Sequence, residues 1–91
     1  MGPKISSIVQ TCVACPSQWE GLLDDGRCFY IRYRWGHLSV RVSETKTLDM
    51  SLGVVGKEVF SSTLSDDPLE GWIDLQTVMT VTNNVLNWDG V

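Results

Sequence analysis

The segment from Cys28 to Ser43 constrains the fold more than any other part of the chain. Its side chains alternate. Phe29, Ile31, Tyr33, Trp35, Leu38, Val40 and Val42 fall on one face, and Tyr30, Arg32, Arg34, Ser39 and Arg41 on the other. Period-two alternation of this kind describes a strand pair with one buried face. The segment is rich in aromatic and β-branched residues, and Gly36 interrupts it, so it reads as a β-hairpin. A slip of one residue would carry the arginines into the core, which excludes that slip.

Two registers keep the faces apart, and turn chemistry chooses between them. A Gly36-His37 loop places Gly first, as a type II′ turn requires. It pairs Trp35 with Leu38, Tyr33 with Val40 and Ile31 with Val42. A Trp35-Gly36 loop pairs Tyr33 with Leu38 and demands a positive φ at Trp35, an awkward conformation for a bulky residue. The first register is therefore expected. It sets Arg34 opposite Ser39 and Arg32 opposite Arg41, a like-charge pair that an anion would relieve.

The flanking sequence extends the sheet. Ile5 to Val9 reads as a first strand and Gln18 to Leu23 as a second. Asp24-Asp25-Gly26 suits a three-residue hairpin loop with Gly in the left-handed region. That loop places Trp19 opposite Ile31 and Glu20 opposite Tyr30, with Glu20 diagonal to Arg32 and within salt-bridge reach. Further on, Leu48, Met50, Leu52 and Val54 alternate, and Gly56-Lys57 can turn the chain into a strand over Glu58 to Ser62.

Asp67-Pro68-Leu69-Glu70 is a helix-start signal, with Asp67 as N-cap and Glu70 closing a capping box. Gly71 can interrupt that turn, and Asp74 can cap a second piece. Leu75, Val78, Met79, Thr82, Val85 and Leu86 recur at helical spacing. Ile73, Leu75, Met79 and Val81 also fit a strand, but the longer helical periodicity predicts a helix. The expected architecture is α+β: a single domain over residues 1–91, with an antiparallel sheet of four to five strands and one C-terminal helix packed on its apolar face. Trp35 and Trp72 are both expected in the core between them.

Charge is unevenly distributed. Residues 26–43 carry Arg27, Arg32, Arg34 and Arg41 and no acid, whereas the rest of the chain has three Lys against eleven acids. The polar hairpin face is therefore the expected ligand-binding surface, with Tyr30, Arg32, Arg34, His37 and Arg41 as its residues. Guanidinium forks match phosphate oxygens, and a tyrosine ring can stack on a base. The expected protein is a non-enzymatic binder of an anionic ligand such as a nucleotide. A different class of function also fits: the acidic half could bind a basic site on a host protein, as an inhibitor or nucleic-acid mimic. A second copy of the chain is a further possible partner.

Cys12-Val-Ala-Cys15 has the spacing of half a zinc site, which would make a zinc-stabilised interaction module. Cys28 and His37 cannot complete it together. Cys28 lies seven residues before Trp35 and His37 at the hairpin tip, about 23 Å apart at roughly 3.3 Å per residue. No metal and no cofactor is expected. No nucleophile motif accompanies the single His, and no phosphate loop is present, so no catalysis is expected either. No run approaches the roughly 18 apolar residues that a membrane helix needs. The first ten residues lack the apolar core of a secretory leader, and the cysteine count is odd, so a cytoplasmic location is expected.

From Cys15 to Val42 the chain contains Cys-Pro-Ser-Gln-Trp-Glu-Gly, Asp-Gly-Arg, Tyr-Ile-Arg-Tyr-Arg-Trp-Gly and Leu-Ser-Val-Arg-Val. This block, about a third of the chain, resembles small uncharacterised bacterial and phage proteins. The resemblance implies a phage or mobile-element origin and carries no functional residue with it. For a protein of that origin, sequestering a host immune nucleotide would suit the size.

Overall fold

A computed structural model describes residues 3–13, 17–44, 56–65 and 72–89. Five strands form one antiparallel sheet: β1 (Ile5–Cys12), β2 (Ser17–Leu23), β3 (Cys28–Arg34), β4 (His37–Val42) and β5 (Lys57–Thr63). They lie in chain order, so every connection joins neighbouring strands. One helix, α1 (Leu75–Thr82), follows. The α+β architecture is as expected. The alternating stretch Leu48 to Val54 and the Asp67 capping box lie outside the described residues.

The apolar face of the sheet is the core. Phe29, Ile31, Leu38 and Val40 are fully buried, and Trp19, Tyr33 and Val42 nearly so. Val78 of α1, with Ile73, Leu86 and Trp88 around it, closes this layer. The helix is shorter than its periodicity suggests. It ends at Thr82, whose hydroxyl donates to the Val78 carbonyl at 2.6 Å and accepts from Trp88 Nε1 at 3.0 Å. After it, Leu86 turns back into the core, and Asn87 exchanges backbone hydrogen bonds with Pro3 and Ile5. Trp72 stands outside this layer, 55% exposed, contrary to its expected place in the core. Ile73 takes the buried position instead, its N–H donating to the buried Ser17 hydroxyl.

Asp74 caps α1 as expected. Its carboxylate accepts from the Thr77 N–H at 3.1 Å and from the Thr77 hydroxyl at 2.7 Å. Those bonds favour the ionised form and lower its pKa below the ordinary 3.8. A lowered carboxylate pKa stabilises the fold above the unfolded value, and that stabilisation is lost as pH falls through the folded one. Asp74→Ala should therefore lower Tm at pH 7, and the gap to wild type should close as pH falls below about 4. Thermal melts at several pH values check this, and a gap independent of pH would refute the capping role.

The first hairpin follows the sequence reading. Trp19 pairs with Ile31 and Glu20 with Tyr30. Gly26 takes a φ of 89°, and the Leu23 N–H donates to the Arg27 carbonyl across a three-residue loop. Asp25 accepts from both the backbone N–H and the Nε of Arg27.

The second hairpin corrects the expected register. Tyr33 pairs with Leu38, Ile31 with Val40 and Phe29 with Val42, and Arg34 faces His37. The loop is thus Trp35-Gly36, with φ of 56° and 74°, both positive as a type I′ turn requires. Arg32 lies opposite Ser39, and Arg41 opposite Tyr30. The like-charge pairing of the alternative never arises. The residues just after β5 also clamp this turn, because the Gly36 carbonyl accepts from Leu64 N–H at 2.7 Å and Ser65 N–H at 3.2 Å. A Cβ on Gly36 would lie 2.2 Å from the Ser65 carbonyl oxygen, so only glycine fits there. These gains outweigh the cost of a left-handed tryptophan, about 1–2 kcal/mol.

Candidate functional site

β3, β4 and β5 bring their polar residues into two cross-strand rows. One row runs Arg32, Ser39, Ser61, and the next runs Arg34, His37, Thr63. Adjacent strands lie about 4.8 Å apart, so neighbours within a row are in side-chain reach. The rows frame a pocket of about 210 Å³ lined by Arg32, Arg34, Trp35, His37 and Ser39. Of the five residues singled out from the sequence, Arg32, Arg34 and His37 meet there. Among the described residues, no carboxylate lines it.

Each lining group is held differently. Arg32 Nε is buried and has no hydrogen-bond partner among the described residues. The anticipated salt bridge from Glu20 to Arg32 is absent, and no acid among the described residues pairs with this guanidinium. A buried donor without an acceptor costs about 1–3 kcal/mol. The Arg34 guanidinium carbon sits 4.3 Å from the centroid of the Trp35 ring. His37 is fixed from β5: its Nε2 is 2.6 Å from Ser61 Oγ and its Nδ1 3.2 Å from Thr63 Oγ1. Hydroxyls accept as well as donate, so the same geometry serves a neutral ring and an imidazolium.

Tyr30 and Arg41 belong to a separate row. Tyr30 is 8% exposed, and its hydroxyl donates to Gln18 Oε1 at 2.9 Å. Burial raises its phenol pKa above 10.0, while the charge of Arg32 pulls it back. Its ring offers no open face for stacking, contrary to the role expected of it. Arg41 pairs with Glu58 across β5 and reaches the Gly56 carbonyl at 3.4 Å. Glu20 and Glu58 thus stand in the Tyr30–Arg41 row, whereas no acid among the described residues stands in the Arg32 and Arg34 rows.

Sequence reading missed three parts of this site. Alternation with Tyr33 places Trp35 in the core, yet it is 63% exposed at the pocket rim. Its position before Gly36 was the available signal, since a Trp-Gly turn throws the indole outward. Ser61 and Thr63 carried no signal, because only the pairing of β5 with β4 brings them to His37.

Among the described residues, no three His, Cys, Asp or Glu side chains stand together as metal ligands. Cys15 lies outside those residues. No helix there is long and apolar enough to cross a membrane. Compared with protein-family models, curated proteins and solved structures, the chain matches none.

Proposed function

We propose that this is a non-enzymatic binding protein that holds a phosphate-bearing anion in the pocket between Arg32, Arg34 and His37. The observation that carries the reading is a pocket lined by Arg32 and, among the described residues, by no carboxylate. Arg34 supplies a second planar fork beside it. The resemblance to phage proteins suits sequestration of a host nucleotide signal as the biological use.

The direct test is calorimetric titration with inorganic pyrophosphate at rising salt. Affinity should fall as salt rises, because phosphate contacts release counterions. Arg32→Lys should weaken binding roughly tenfold, since an ammonium cannot reproduce the guanidinium fork. Equal affinity in Arg32→Lys, or no binding by wild type at low salt, would refute the reading.

A further inference from the structure

Trp35 is the residue this chain retains against its own backbone. A φ of 56° is uncommon for any residue but glycine and an outlier for a bulky one. Asn or Asp would occupy the first position of a type I′ turn without that strain. The indole gains little from burial in return, being 63% exposed. It nonetheless stands on a braced turn. The turn beneath it is clamped by Leu64 and Ser65, and Arg34 lies against the ring. Strain kept at an exposed, well-supported aromatic beside a cationic pocket points to a contact made by that aromatic.

We infer that the bound anion is a free nucleotide, its phosphates held by Arg32 and Arg34 and its base stacked on Trp35. This rests on the anion-binding reading above. The pocket of about 210 Å³ falls below the roughly 300–1,000 Å³ usual for small-molecule sites. It accepts the phosphate end of such a ligand and leaves the ring outside, where the exposed indole stands. A nucleic-acid strand fits less well. Its backbone would continue past the pocket over a chain that, outside residues 26–43, sets eleven acids against three Lys. The neighbouring row already carries Glu20 and Glu58. Like charges there repel a polyanion that extends beyond one site.

The experiment compares ADP and GDP with inorganic pyrophosphate, which has the same diphosphate and no ring. Stacking on one aromatic should make the nucleotides bind roughly 5- to 150-fold more tightly in wild type. In Trp35→Asn that preference should fall to about onefold, with Tm equal to wild type or higher because the turn loses its strain. Trp35→Phe, which keeps a ring, should retain part of the preference. Melting and circular dichroism verify that both variants are folded. Equal binding of nucleotide and pyrophosphate by wild type would overturn the stacking inference and leave the anion site standing. So would a preference undiminished in Trp35→Asn. Tighter binding of oligothymidylate than of either nucleotide would overturn the free-nucleotide assignment. Failure of every probe, pyrophosphate included, would overturn the anion site itself.

Discussion

The double variant Arg32→Glu, Arg34→Glu should lose pyrophosphate affinity by more than about 100-fold and keep its fold. Each charge-assisted hydrogen bond to an ionised group is worth about 1.5–3 kcal/mol, so losing two arginine anchors removes at least about 3 kcal/mol. Reversing the charge adds repulsion to that loss. The fold should survive because neither arginine forms an ion pair with a described residue, and both belong to the polar face. The same experiment separates the two classes of function. If the acidic half binds a basic protein surface instead, this variant keeps activity, and Glu70→Lys destroys it. Wild-type affinity in the double variant, measured by calorimetry with circular dichroism as the folding control, would end the anion-binding proposal.

Truncating the opposite face should act on stability alone. Ile31→Ala and Val40→Ala should each cost about 2–4 kcal/mol, near the range for truncating a buried aliphatic side chain. Both residues are fully buried. Against a total of about 5–15 kcal/mol for a domain, either change is severe. Ser39→Ala, between them in sequence space but on the polar face, should cost under about 0.5 kcal/mol. Urea denaturation distinguishes these outcomes, and similar costs for Val40 and Ser39 would refute the face assignment. The register adds a finer expectation. Ile31 and Val40 stand directly opposite each other, while Val42 faces Phe29. A double-mutant cycle should therefore show stronger coupling for Ile31 with Val40 than for Ile31 with Val42.

Much of the candidate site was legible in the sequence because strand alternation is a local rule. Once Ile31 and Tyr33 point into the core, Arg32 and Arg34 must point away from it. The absence of acids from residues 26–43 then marked that face as cationic. Its subdivision was not legible. Tyr30 and Arg41 share the face with Arg32 and Arg34, yet the carboxylates beside Arg41 and Tyr30 arrive from β5 and β2. Only strand pairing shows that Glu58 lies beside Arg41 and that Ser61 and Thr63 bracket His37.

Residues close in sequence determined the hairpins, their buried faces, the Asp24-Asp25-Gly26 loop and the Asp74 cap. Each depends on backbone geometry and side-chain chemistry within a few positions. Tertiary structure decided the register of the second hairpin. Judged locally, a turn with glycine first costs less than one that forces tryptophan into a positive φ. The distant segment just after β5 reversed that balance, with Leu64 and Ser65 hydrogen-bonding the Gly36 carbonyl. One choice of loop moved Trp35 from the core to the pocket rim and set Arg32 opposite Ser39 in place of Arg41. The physical reason is that a two-residue turn is settled by about 1–2 kcal/mol, an amount that two long-range hydrogen bonds and the removal of one like-charge pair exceed.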